Sequence, residues 1–377
     1  MRAKKIALPT FAALTALVIG AASASAADLP PVVKDGKISY VLTHRLWTVQ
    51  SNDEKTECPK GMNTGPREQF HQLFPDDGKQ RTVVDTYLKR EAEQALPSKD
   101  SYDPFPYLEA QGPIVHGMNL DGKVKKSDFG DEEGHKGIDN QMYRAIGCII
   151  NFRGPSINPI WWYENEYVRR YVANRLMIEI SGVDSLENDD DVTVKSYRGM
   201  DELLIDAVGD ATGQVITPGG TQRIDERWGK MFQATWKAKI VNGVLITEAT
   251  DATIPIFGRY LTTAVLPIRG MRFELKLTPQ RANGVIAGYT DIEGFQRYIN
   301  QSWPQHYHSN GEMPTISMFH AIDRLADGYP DPKTKKMTAI SSAMDVKMTQ
   351  VFIVPAEKPQ PLAALTDRQQ AAAQPAK

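Results

Sequence analysis

Between residues 119 and 139 the chain crowds six carboxylates, Asp121, Asp128, Asp131, Glu132, Glu133 and Asp139, into a window punctuated by Gly122, Gly130, Gly134 and Gly137. A hard cation such as Ca2+ takes roughly six to eight oxygen ligands in flexible geometry, and closely spaced carboxylates, main-chain carbonyls and glycine turns supply them without regular structure. Asp121, Asp128, Asp131 and Asp139 are therefore the candidate ligands for Ca2+, the one cofactor the sequence suggests. The EF-hand spacing is not met, so such a site would be irregular. The competing reading is a solvated surface loop. A second acidic run, Asn188-Asp189-Asp190-Asp191, reads more simply as a β-turn, with an ion as the alternative.

His306-x-His308 is the other pattern with metal-type chemistry. Alternate residues on a strand point the same way, so these imidazoles could share a transition metal, with Glu312 nearby. The plainer account is a polar loop, and His320 with Asp323 would fit a structural hydrogen bond. Familiar enzyme motifs are missing: no Gly-x-Ser-x-Gly elbow, no His-Glu-x-x-His, no phosphate-cradling loop and no dinucleotide fingerprint. A glycosidase-type Asp/Glu pair stays open, because carboxylate separation is invisible in sequence. Trp161 and Trp162 adjoin Tyr163. Read as strand, they face opposite ways, one toward a core and one toward solvent. An exposed aromatic beside a calcium loop would suit a sugar or an apolar ligand.

The elements that must position these residues are mostly strands. Residues 37–44, 176–181, 191–197, 232–241, 244–247, 271–277 and 285–289 alternate or cluster β-branched and aromatic side chains. In 271–277, Met271, Phe273, Leu275 and Leu277 share one face and the charges the other. Asn242-Gly243 is a hairpin signal, and Asn283-Gly284 reads as the start of another strand. Residues 338–354 read as a closing strand. Helices are expected over 79–94, 141–148 (capped by Asp139-Asn140), 292–301 and 316–326. The expected fold is mainly β (α+β): an antiparallel β-sandwich-like core with a few peripheral helices and long loops. Four segments follow: 1–26, a loop-rich and helical 27–174 carrying the acidic loop, a β-rich 175–354 packed with it, and a Pro/Ala/Gln-rich tail at 355–377, expected to be disordered.

Residues 1–26 read as a cleavable signal peptide: Arg2, Lys4 and Lys5, then an apolar stretch interrupted by Pro9, then Ala24-Ser25-Ala26. No segment is apolar enough to span a bilayer. The expected location is periplasmic or secreted. Cleavage removes three positive charges, taking the net charge from −2 to −5. That mildly acidic chain, without a basic stripe, lacks the footprint of nucleic-acid binding. Its two cysteines, Cys58 and Cys148, most simply form one disulfide in an oxidising compartment, two buried thiols being the alternative.

Cys58-Pro59-Lys60-Gly61, the run from Gly137-Ile138-Asp139-Asn140-Gln141 to Gly147-Cys148, and the run from His320 to Asp331 together resemble a set of uncharacterised exported proteobacterial proteins. The resemblance implies no known activity. It does imply that the cysteines pair, since each belongs to one of the motifs. The function expected is an exported, soluble, β-rich binding protein with a calcium-stabilised loop, its partner a small molecule, glycan or protein. A hydrolase using an Asp/Glu pair or the histidine group is the first alternative. An accessory protein of a periplasmic enzyme complex is the second.

Overall fold

The computed structural model describes residues 33–48, 54–65, 106–153, 160–170, 175–205, 216–256, 265–302 and 313–355. The expected signal peptide, the helix over 79–94, His306, His308, Glu312 and all of the tail after residue 355 lie outside the described residues. In chain order the elements are β1 (Lys37–Trp47), the helical turn α1 (Glu54–Glu57), the short strands β2 (Phe129–Gly130) and β3 (Lys136–Ile138), α2 (Gln141–Ile146) and α3 (Ile160–Arg170). Then come β4 (Arg175–Ser181), β5 (Asp189–Gly199), β6 (Gly220–Arg223), β7 (Thr235–Val241), β8 (Val244–Thr247), β9 (Thr250–Pro255), β10 (Val265–Leu277) and β11 (Arg281–Asp291). The chain closes with α4 (Ile292–Ser302), α5 (Thr315–Leu325), β12 (Gly328–Pro330) and β13 (Met337–Val354). Strand outweighs helix, 46% against 19%, so the mainly β expectation holds.

The sandwich does not. Eight strands run in the antiparallel order β1-β4-β5-β7-β8-β10-β11-β13, and β13 pairs back onto β1, so one sheet curls into a barrel. The remaining strands decorate it: β6 runs parallel to the end of β13, β9 pairs with β10, and β12 pairs with β13. Alternation along each strand demands one dry face and one wet face. It does not say whether the dry face meets a second sheet or its own far side. Closure depends on Ser39 lying opposite Val351 and Trp47 opposite Met344, a pairing between the two ends of the described chain.

Inward positions fill the barrel. Ile38, Tyr40 and Leu42 face Leu176, Ile178, Val194, Trp236, Phe273, Leu275, Ile286 and Met348 in one buried cluster. An eight-stranded barrel is just wide enough for side chains to fill. Trp236 packs edge-on against Phe273 at 5.1 Å, and its indole N–H donates to the Met271 carbonyl. Helices α2, α4 and α5 add Met142, Ile146, Phe295, Ile299, Phe319 and Ile322 to the same core. The outward face of the wall carries Lys195, Lys237, Lys239, Glu274 and Lys276, all exposed. Among the described residues no helix is long and apolar enough to cross a membrane.

Local signals explain most boundaries. Asn140 caps α2, its side chain accepting from the Tyr143 amide. Asn242 and Gly243 both take positive φ, 51° and 75°, as the tight turn between β7 and β8 requires. Asn283-Gly284 lies inside β11, paired with Lys276 and Leu275; the chain turns earlier, where Thr278 accepts from the Gln280 and Arg281 amides. The Trp161-Trp162-Tyr163 run lies in helix α3 rather than on a strand, and Trp162 is exposed.

Candidate functional site

The acidic segment folds against the outside of the barrel. Leu120 and Met118 cover Ala287, Val285 and Tyr289 of β11 and Ala343 of β13. Arg272, outward on β10, donates to the carbonyls of Asn119 and Leu120 at 3.0 and 2.9 Å, which pins the loop to the wall. Gly137 is required where the loop doubles back: φ is +81°, and a Cβ there would stand 2.4 Å from the Lys123 carbonyl oxygen.

Each of the four predicted ligands serves a hydrogen bond of its own. Asp121 accepts from the Lys123 amide at 2.9 Å and pairs with the Lys125 ammonium, which holds its carboxyl below the usual carboxylate range. Asp128 accepts from the Lys125 amide. Asp139 is buried and accepts from the Leu120 amide at 2.7 Å; desolvation raises its pKa, and the nearby charges of Asp121 and Asp128 add to that. Asp131 accepts from the Glu133 and His135 amides and from the His135 ring at 2.7 Å. Those bonds hold its carboxyl below the ordinary range despite partial desolvation.

Three of the four are thus gathered near one cation, which is Lys125. Its ammonium pairs with Asp121 and feels the fields of Asp139 and Asp128, which together raise its pKa. Asp131 stands apart, beside His135. Among the described residues no group of three or more His, Cys, Asp or Glu side chains is arranged to hold a metal ion. In the second acidic run, Asp189 accepts from the Asp184 and Asp191 amides, and Asn188 from the Asn242 amide, as turn-forming side chains do.

Between the loop and the wall runs an open groove of about 870 Å³. One side is Asp131, Glu132, Glu133 and His135, with His116 at the end; the other is Ile246 of β8, Glu248, and Arg272 and Glu274 of β10. Glu132, Glu248 and Glu274 have no ion-pair partner among the described residues, whereas Arg272 is committed to the loop carbonyls. His116 lies 3.6 Å from the Asp345 carboxylate, which raises the imidazole pKa, with Glu132 and Asp131 adding to it. His135 is raised chiefly by its bond to Asp131, and more weakly by Glu133 and by Glu274 across the groove. Of these groups the sequence singled out only the loop carboxylates. Glu274 was legible as a charge on the wet face of 271–277, but nothing local says which surface that face meets.

The two cysteines form a disulfide, Cys58–Cys148, in a small separate cluster with Ala110, Val115, Phe129, Ile138 and Tyr143. Behind it the buried Glu57 carboxylate pairs with Arg153. The chain matches no protein-family model, no curated protein and no solved structure.

Proposed function

We propose that this chain is an exported β-barrel binding protein whose ligand lies in the groove between the acidic loop and strands β8 and β10. The observation that carries the reading is the charge of that groove. Five carboxylates line it against Lys136, Arg272, His116 and His135, and Glu132, Glu248 and Glu274 have no ion-pair partner among the described residues. An open cleft in which carboxylates outnumber cations attracts ligands of positive charge, and the exposed Ile246 adds an apolar contact on its β8 side. A linear polycation with methylene spacers fits both properties. Export rests on the signal-peptide pattern of residues 1–26 and agrees with the disulfide.

Calorimetric titration with spermidine tests the reading, with a neutral oligosaccharide as the control. Spermidine should bind more weakly at high salt, and the pair Glu248→Gln and Glu274→Gln should weaken it by about tenfold, or ~1.4 kcal/mol. An unchanged Kd in that variant, or preference for the neutral sugar, would overturn the assignment of ligand to groove.

A further inference from the structure

His116 closes one end of the groove, and the fold fixes it there from two directions. Its carbonyl accepts from Thr48 Oγ1 and from Asn140 Nδ2, each at 3.0 Å. Its ring nitrogen Nδ1 lies 3.6 Å from the Asp345 carboxylate of β13, and the two side chains are 43% and 39% exposed. From the acidic loop, the charges of Glu132 and Asp131 act on the same ring. Two separate elements thus surround one imidazole with carboxylates at the mouth of an open cleft.

Histidine is the side chain whose ordinary pKa puts its charge change near neutrality. While the groove histidines are neutral, five carboxylates against Lys136 and Arg272 leave a surplus of three negative charges. Protonation of His116 places a cation in that cleft, where it occupies the carboxylate field that a cationic ligand uses. The coupling is reciprocal: if the proton weakens the ligand, the ligand must expel the proton. His135 is the second imidazole of the groove, but it is bonded to Asp131 at 2.7 Å and is 67% exposed, so solvent screens its charge more than that of His116.

We propose that His116 makes the groove a proton-gated site: the neutral imidazole admits a polycation and the imidazolium displaces it. The inference rests on the groove being the ligand site. Asp345 does not line the groove, yet it sets where the gate turns. Its carboxylate stabilises the imidazolium and moves the transition above the ordinary imidazole value. Binding is therefore full at pH above that raised value and is lost as pH falls through it.

Calorimetric titration with spermidine at about pH 7.5 and about pH 5.5 tests the gate, since ordinary carboxylates stay mainly ionised and aliphatic amines protonated over that span. In the native chain Kd should rise about tenfold on acidification. In His116→Gln the rise should shrink to about threefold or less, the remainder coming from His135. Asp345→Asn should move the midpoint of the pH profile down toward the ordinary imidazole value, ~6.5. Near neutrality, titrations in two buffers of different ionisation enthalpy should show protons released on binding, and fewer in His116→Gln. Equal Kd at the two pH values, a pH dependence in His116→Gln as large as the native one, or binding without proton release would each overturn the gate while leaving spermidine in the groove. Absence of spermidine binding at both pH values would overturn the groove assignment, and the gate with it.

Discussion

The Lys125 ammonium occupies the position in the acidic loop that a bound cation would be expected to take. It pairs with Asp121 and lies in the field of Asp128 and Asp139. Calcium at this loop must therefore displace a lysine and recruit carboxylates that now accept from separate amides. Melts in calcium and in chelator, for the native chain and for Lys125→Met, measure that competition. The expected outcome is a calcium-dependent rise in Tm that is larger in the variant; equal responses in the two chains would remove Lys125 from the cation's position. His116 offers a second measurement at this scale. Its pKa is raised above the ordinary imidazole value by Asp345, so the pair contributes stability at pH below that value and loses it as pH rises through the raised one. A histidine NMR titration should place His116 above 6.5 and return it toward 6.5 in Asp345→Asn. His44 is the contrasting case: burial, with Lys347 and Arg169 nearby, lowers it to about 4, so its protonation opposes the fold as pH falls below the ordinary value.

Strands β10 and β11 form the wall on which the groove is built, and their pairing is unusually close at Gly284. A Cβ there would stand 2.0 Å from the Glu274 carbonyl oxygen, backbone that cannot move aside without breaking the ladder. Gly284→Ala should destabilise the chain by about 3 kcal/mol in urea unfolding. Because the clash falls on the Glu274 carbonyl, next to Leu275 which stands opposite Gly284, the same variant should weaken binding in the groove, whereas an alanine at Gly122, which has nothing within 4 Å, should not alter this wall. The sequence signal at this place was ambiguous for a physical reason. Asn-Gly fits a tight turn, but glycine also fits wherever two backbones approach, and only the register of β11 separates the two.

As a whole, the molecule joins a filled barrel to a smaller satellite core. The outward wall bears lysines and glutamates while the interior is apolar, the reverse of a bilayer-spanning barrel, which turns its apolar face outward. The Cys58–Cys148 bond lies in the satellite cluster and spans 90 residues. On the chain-entropy model it stabilises by roughly 4 kcal/mol. Cys58→Ser with Cys148→Ser should lower the urea midpoint accordingly and leave the far-UV signature of the barrel intact, since the barrel core is a separate cluster. Much of the architecture was legible in advance. Alternation in 271–277 and 176–181, the Asn242-Gly243 turn and the Asn140 cap are set by side-chain size, φ preference and local hydrogen bonding, all of which act within a few residues. The mainly β class and the individual strands follow from those local terms. Tertiary structure alone decided that the dry faces meet each other around a barrel rather than across a sandwich, because closure rests on β1 reaching β13 from the other end of the chain. It alone set Glu248 and Glu274 opposite Asp131, and brought His116 to the Asp345 carboxylate. Burial and charge depend on which distant surfaces meet, and a linear pattern carries no record of that.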